Sequence, residues 1–258
     1  MSTVLPAIFF GHGNPMNALQ QNQYTQAWSK IGKELPRPKA ILCISAHWFI
    51  AETGVTISTA PRTIHDFGGF PGELYQVSYP APGDPLLARR VQKLLEPLPV
   101  KLDDTWGLDH GTWSVLCHVY PQADIPVVQL SIDATQPASF HYEVGKRLAP
   151  LRDEGVLIVG SGNLVHNLRA YSWGELADPF DWAVQFENQA REMLVAGEVK
   201  PLIEYQKLGK PAQLAIPTPE HYLPLLYVAA TRQQGEIVTF PVEGIDGGSI
   251  SMLAVQVG

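Results

Sequence analysis

Two apolar segments, Ala40 to Ala46 and Gly155 to Ser161, constrain the fold of this chain more than any other feature of its sequence. Neither segment alternates between apolar and polar residues, as a half-exposed strand would. Near-continuous apolar runs of this length are typical of strands that helices cover on both faces of the sheet. We therefore predict an α/β fold, in which a mostly parallel or mixed central sheet is flanked by helices.

Other strands and helices are expected between and around these two segments. Further strands are predicted over residues 7–10, 54–58, 127–131, 237–241 and 251–257, and the last of these alternates as an edge or antiparallel strand does. Helices are predicted over residues 24–35, 85–95, 112–120, 139–151, 182–196 and 219–230. We find no linker or repeat, and therefore expect residues 1–258 to form a single catalytic domain.

The charge and the cysteine content of the chain indicate which binding partners and which cellular compartment to expect. The chain of 258 residues carries a formal net charge of −7, and its lysines and arginines form no dense cluster, so nucleic acid is not an expected partner. No run approaches the ~20 apolar residues of a membrane helix, so no membrane partner is expected. The two cysteines belong to no CxxC motif and are interpreted as reduced core thiols, which predicts a cytoplasmic location.

Three histidines lie where predicted buried strands end. His12 and His47 each close an apolar run, and His166 follows another after a short turn. In α/β sheets, ligands bind in the crevice outside the carboxyl ends of the strands. Imidazole is the commonest metal ligand and the usual acid or base at neutral pH. We therefore expect a metal-centred active site at this edge, although each histidine taken alone also fits an ordinary structural role.

Two more histidines are placed at predicted helix starts. Thr218 as a cap and Pro219 in the first position put His221 in a first helical turn, where the helix dipole keeps its ring neutral. A simple surface position is the alternative. For His110, the preceding Asp109 either orients the ring or caps the next helix and leaves His110 a bystander.

The segment from residue 59 to 84 is long and rich in proline, glycine and aromatic residues. Loops of this length in compact domains are usually functional or disordered, and the aromatic residues favour an ordered lid or pocket wall. His65 either reaches into that pocket or pairs with Asp66 within the loop. We assign His65 and Phe67 to substrate binding.

Nine motifs, taken in order, resemble the class III extradiol ring-cleavage dioxygenases, and the 4,5-DOPA dioxygenase branch is the most similar. The resemblance runs from about residue 6 to the C-terminus. The motifs are GHGNPM, SAHW, TIHDFGGFP, YPAPGDP, WGLDHGTW, PVVQLSID, GSGNLVHNLR, PTPEHYLPLLY and VEGIDGGSISML.

This resemblance implies a non-haem Fe(II) enzyme that opens a catechol ring with O₂. It implies that His12, His47 and His221 are the metal ligands, and that His110 and His166 move protons. The wider family holds iron with two histidines and a carboxylate. Three neutral histidines would instead leave the full +2 charge of the metal, which favours a bound catecholate anion.

The same ligand set also resembles a three-histidine zinc site. Zn²⁺ binds such ligands more tightly than Fe²⁺, so Zn(II) is the alternative occupant. In that form His166 is a candidate fourth ligand that would close a tetrahedral, inactive site. Fe(II) is expected for turnover.

Two other functions use the same residues. A zinc hydrolase would employ a metal-bound water with its pKa lowered to about 7, and His166 or Glu220 as the base. A binding module without catalysis is the second alternative, since the Memo-type signalling proteins resemble this fold. Such a module needs no acid–base pair, so the presence of both His110 and His166 favours an enzyme.

Overall fold

The computed structural model describes residues 4–173 and 177–258. Its strands are β1 (Ala7–Gly11), β2 (Ala40–Ile50), β3 (Gly54–Thr56), β4 (Lys101–Asp103), β5 (Val127–Asp133), β6 (Val156–Gly162), β7 (Val238–Val242), β8 (Ile245–Asp246), β9 (Ile250–Ser251) and β10 (Ala254–Val257). Its helices are α1 (Gln23–Glu34), α2 (Pro85–Leu95), α3 (His110–Val119), α4 (Ala138–Leu148), α5 (Asp181–Ala196), α6 (Val199–Ile203), α7 (Lys210–Ala215) and α8 (Leu223–Ala230).

Eight of these strands form one mixed sheet in the order β4-β3-β5-β2-β6-β1-β10-β7. The four central strands β5, β2, β6 and β1 run parallel. The sheet becomes antiparallel where β3 joins β5 and where β10 joins β1 and β7. The predicted α/β class with a mixed central sheet is therefore confirmed.

Helices cover both faces of the sheet, which explains the unbroken apolar runs of β2 and β6. On β1, Ile8 and Phe10 point to the side covered by α1 and α3, where they join Trp28 and Trp113 in one core. Ala7 and Phe9 point to the other side, which α2, α4, α5 and α8 cover. Because both faces of the sheet are shielded from solvent, side chains that point to either face can be apolar.

The end of β2 differs from the prediction. The strand continues beyond His47 to Ile50, and its pairing with β5 is irregular between Ile44 and Phe49. Such an irregularity re-aims side chains without ending the strand, and it is frequent beside active sites. His47 therefore lies within this irregular stretch.

The start of α8 was also predicted wrongly. The helix begins at Leu223, and the Thr218 hydroxyl donates to the Glu220 carboxylate at 2.7 Å instead of capping a helix. A helix starting at Pro219 would place Pro224 in its interior, where proline lacks an N–H and clashes with the preceding turn. With the start at Leu223, Pro224 falls in the first turn, and His221 lies in the turn before the helix.

Short elements escaped the sequence analysis. Strand β4 has three residues, and helices α6 and α7 have five and six, too few to show a periodic pattern. Within the described ranges, no helix is both long enough and apolar enough to cross a bilayer.

Candidate metal centre

Three histidines from separate parts of the chain meet at the carboxyl ends of β1 and β2. His12 follows β1, His47 lies in the irregular part of β2, and His221 precedes α8. One potential ligand atom from each lies within 4.8 Å of the other two. His12 and His221 are buried, and the His12 backbone N–H donates to Gly162 O at the end of β6.

The hydrogen bonds of His12 fix which of its nitrogens carries the proton. The Ser161 hydroxyl lies 2.9 Å from His12 Nδ1 and donates its one hydrogen to Gly111 O. Ser161 can therefore only accept at His12, so Nδ1 carries the proton. The lone pair of His12 Nε2 consequently points into the cluster.

His47 and His221 are oriented in the same way by carboxylates. His47 Nδ1 lies 3.3 Å from Asp66 Oδ2, and His221 Nδ1 lies 3.3 Å from Glu220 Oε1. Glu220 accepts the His221 Nδ1 hydrogen, and the negative charge of Asp66 beside His47 Nδ1 favours the proton on that nitrogen, so Nε2 of both rings is unprotonated. All three rings thus present an Nε2 lone pair to the same space.

This arrangement fits a metal ion on its own geometry. His12 Nε2 and His47 Nε2 lie 3.2 Å apart, and neither has a proton to share once both Nδ1 atoms are protonated. Two lone pairs held this close repel each other unless a cation lies beside them. Three imidazole nitrogens match the ligand preferences of Zn²⁺ and of Fe²⁺.

Burial keeps the cluster neutral. Burial, followed by repulsion from the neighbouring histidines, lowers the pKa of His12 and of His221 well below the usual value. Burial also lowers the pKa of His47, and that of His166 to about 4. Neutral imidazole is the form that binds metal, so the cluster holds free lone pairs at pH 7.

Asp66 connects the cluster to His110, and the sequence analysis missed this contact. Its Oδ2 atom lies 2.9 Å from His110 Nδ1, and its Oδ1 accepts the His110 backbone N–H at 2.8 Å. Burial alone would raise the pKa of Asp66. The hydrogen bond from the His110 side chain opposes this effect, and the pKa of Asp66 is lowered in balance. The ionised carboxylate therefore holds His110 beside His47, with their ring centroids 3.8 Å apart.

Asp109 serves the helix cap that was one of its two predicted roles. Its Oδ1 accepts from the Thr112 backbone N–H and from the Ser45 hydroxyl, and its Oδ2 accepts from Gln129. His110 is nevertheless no bystander, because Asp66 orients its ring. The residue that orients it thus comes from the long loop instead of the adjacent position.

His166 lies against the opposite side of the cluster. Its ring stacks on His221 with centroids 3.5 Å apart and planes 6° from parallel. His166, Glu220 and His221 form a second group whose ligand atoms lie close together, and His47, Asp66 and His110 form a third. His110 and His166 therefore flank the three-histidine cluster from two sides.

An aromatic cavity opens over these rings. Its volume is about 650 Å³, including the mouth that is open to solvent, which is within the range of small-molecule sites. Five histidines line it together with Phe67, Phe70, Leu168, Tyr171 and Trp173. The prediction that the 59–84 segment supplies pocket wall agrees with this geometry.

Of the two predicted substrate contacts, only Phe67 lines this cavity among the described residues. His65 lies behind it, with the ring Nε2 3.0 Å from Val77 O and its ring against Phe67 and Trp113. The backbone carbonyl of Val77 satisfies the imidazole, so His65 supports the wall and does not reach through it.

Comparison with known proteins identifies the family. A profile described as the catalytic LigB subunit of aromatic ring-opening dioxygenase matches residues 6–242. The chain belongs to the LigB family. It is 54% identical over 261 residues to an Escherichia coli K12 protein named 4,5-DOPA dioxygenase extradiol. The match covers 100% of this chain and 96% of that protein.

Other LigB relatives agree in sequence and in fold. A Beta vulgaris protein of the same name is 38% identical over 94% of this chain and 92% of its own length. A crystal structure of an uncharacterized Escherichia coli K12 protein superimposes with a TM-score of 0.87 at 50% identity, covering 98% of this chain and 100% of the other.

Proposed function

We propose that this LigB-family chain is an extradiol dioxygenase whose 258 residues form one catalytic domain. It opens a catechol ring with O₂ to give a ring-opened semialdehyde. The relatives named 4,5-DOPA dioxygenase support a catechol of the DOPA type as substrate. The observation that carries the proposal is the meeting of three neutral imidazoles, each with its Nε2 lone pair facing one space. The paucity of cysteine supports the cytoplasm as its location.

His12, His47 and His221 are the proposed ligands, and Fe(II) is the proposed metal for turnover. When bound, iron supplies the electron transfer between catecholate and O₂ that a non-redox ion cannot provide. Zn(II) fits the same three nitrogens and would give an inactive form, with His166 as a candidate fourth ligand. The chain's part in the reaction is carried by the residues around the ligands.

His166 and His110 are the proposed proton carriers. His166 is neutral at pH 7 and lies against His221, so its free lone pair can take a proton from a catechol hydroxyl. On the other side, Asp66 accepts the Nδ1 hydrogen of His110 and thereby sets the direction of its Nε2. His110 Nε2 can then exchange a proton with substrate oxygen atoms in the cavity.

The aromatic wall binds the ring of the substrate and excludes water. Phe67 contacts the ring of His110, with centroids 5.5 Å apart, and Phe70 packs on Phe67. A flat aromatic substrate placed over the histidines would be covered by these side chains. His65 contributes by holding Phe67 in place, so its predicted role in substrate binding becomes an indirect one.

The test is oxygen consumption by the reconstituted protein. The Fe(II)-loaded chain, mixed with DOPA and a panel of simple catechols, should consume O₂ and form a yellow product, whereas the zinc-loaded chain should do neither. His12→Ala is the control, since it should lose both metal and activity. Ester or amide hydrolysis by the zinc form, without O₂ uptake by the iron form, would establish the hydrolase instead.

A further inference from the structure

One wall of the cavity carries a negative charge that the ring-opening chemistry leaves unused. Asp246, at the end of β8, lines the cavity beside Tyr171 and Trp173. None of these three residues is a proposed metal ligand or proton carrier. They are therefore candidates for contacting whatever substituent the catechol ring bears.

The Asp246 carboxylate has one neutral partner and no cationic partner among the described residues. The Tyr171 hydroxyl donates to its Oδ2 atom at 2.8 Å. Burial, and then the bond to Asp246, raises the pKa of Tyr171, so the phenol stays protonated and remains a donor. Within the same described ranges, Oδ1 accepts no hydrogen bond and is available to a ligand.

The backbone holds this pair in place. Residues Ile245–Asp246 pair with Ile250–Ser251, and Gly247 in the intervening turn has a φ of +51°. A Cβ atom at Gly247 would lie 2.2 Å from the Tyr171 ring. The turn therefore needs glycine both for its backbone conformation and so that the Tyr171 ring can pack closely against it and reach Asp246.

The position of Asp246 relative to the histidines is set by strand pairing. His166 forms an antiparallel bridge with Ile250, and Ile250 pairs with Asp246. Two strand spacings separate the backbones of His166 and Asp246 by about 10 Å. A single aromatic ring with a short substituent is long enough to reach between two side chains whose backbones lie this far apart.

The charges and rings of the cavity select for a cationic substituent. Among the described residues that line it there is no lysine or arginine, so a substrate carboxylate would meet Asp246 without a counter-ion there. An ammonium group would instead donate a charge-assisted hydrogen bond to Asp246. The Tyr171 and Trp173 rings, with centroids 4.7 Å apart, add aromatic faces that attract cations.

The geometry points to an ammonium subsite formed by Asp246, Tyr171 and Trp173, which makes this chain selective for catechols that bear an amine. The inference rests on the proposed function, because it concerns the substituent of the same catechol. Asp246 and Tyr171 are specificity-determining residues here, and they take no part in proton transfer. A catechol that bears only a carboxylate is disfavoured by the same charge.

Three catechols with side chains of similar size test the subsite. Dopamine carries an ammonium group, 4-ethylcatechol is neutral, and 3,4-dihydroxyphenylacetate carries a carboxylate. Their dissociation constants are measured without O₂ on the metal-loaded protein by calorimetric titration, and kcat and KM are measured with O₂. We expect dopamine to bind about tenfold more tightly than 4-ethylcatechol, and the carboxylate to bind more weakly than both.

Asp246→Asn should remove that selectivity. The variant should bind dopamine about tenfold more weakly, raise its KM with little change in kcat, and leave 4-ethylcatechol unaffected. Glu243→Gln is the matched control, because it removes a nearby carboxylate that is paired with Arg191 instead of facing the cavity. It should change none of the three dissociation constants.

The outcomes separate the subsite from the proposed function. The subsite is overturned, and the proposed function is not, if 4-ethylcatechol is bound and cleaved but dopamine binds no more tightly than it does. The same conclusion follows if Asp246→Asn raises the dissociation constants of all three catechols equally. If no catechol is bound or cleaved, the proposed function is overturned and the subsite with it. Tyr171→Phe provides a second variant, which should weaken dopamine binding in the same direction by freeing the carboxylate to move.

Discussion

At the scale of single residues, the tautomer of each imidazole decides what the cluster can do. Ser161, Asp66 and Glu220 face the Nδ1 atoms of the three proposed ligand rings, and together they leave three Nε2 lone pairs free. The sequence places His12, His47 and His166 at strand ends, and only the family resemblance makes His221 a ligand. It does not predict these partners, since Asp66 and His110 are 44 residues apart and only the folded loop brings them together.

Ser161 gives the first prediction. Ser161→Ala should remove the acceptor of the His12 Nδ1 hydrogen and lower metal affinity about tenfold or more, because partners of this kind typically contribute 10–100-fold. His47→Ala should reduce metal content much further, since it removes a proposed ligand. Metal titration followed by elemental analysis measures both. Equal metal affinity in Ser161→Ala and the unchanged protein would contradict the assigned tautomer.

His110 gives a prediction about turnover. His110→Ala should leave most of the metal bound but slow turnover by about 10²–10⁴-fold, because its role is proton transfer. Once the protein is loaded with metal, adding Asp66→Asn to His110→Ala should slow turnover little further, because Asp66 positions the His110 ring. Asp66→Asn should also lower metal affinity, since its carboxylate faces His47 Nδ1. Steady-state rates and metal analysis on the single and double variants measure this. Loss of metal in His110→Ala, or full activity, would show that its role is wrongly assigned.

At the scale of helices and strands, the long periodic elements were predictable and their ends were not. Helix α2 agrees with its predicted bounds, since Asp84 caps it and Pro85 opens it. Helix α8 starts later than expected because Pro224 can occupy only its first turn. The irregularity in β2 depends on its pairing with β5, which no local pattern reveals.

Gly32 in α1 gives a prediction at this scale. In an exposed helix, glycine to alanine should stabilise by about 1 kcal/mol. Here a Cβ atom would lie 1.9 Å from Val119 O at the end of α3, so Gly32→Ala should destabilise by forcing the two helices apart. Urea unfolding measures the change, with exposed Gln26→Ala on the same helix as the control. A stabilised Gly32→Ala variant would refute this packing.

At the scale of the whole molecule, one buried arginine ties the chain ends together. Arg152 donates to backbone carbonyls of Leu5, before β1, and of Thr231, after α8, and it forms an ion pair with Glu236. Its side chain is 1% exposed. Three distant segments thus share one cation, a contact that sequence patterns do not show because Arg152 lies 147 residues from Leu5.

Arg152→Met should therefore destabilise the protein strongly. It leaves Glu236 without its cationic partner and three backbone carbonyls without their donor. Removal of one member of a buried ion pair typically costs about 3–5 kcal/mol. The free energy of unfolding in urea measures this cost. Arg90→Met is the matched control, since Arg90 forms an exposed pair with Glu154 and should give no measurable change. Similar losses in the two variants would show that Arg152 is not a special link.

We expect the three-histidine site to catalyse insertion of oxygen from O₂ into a catechol. Mass spectrometry of the product formed by the Fe(II)-loaded protein under ¹⁸O₂ tests it most directly, with short reaction times that limit exchange of the aldehyde oxygen with water. We predict that both atoms of ¹⁸O₂ appear in one ring-opened product molecule, and that the zinc-loaded protein forms none. A product whose new oxygen comes only from water would contradict the claim.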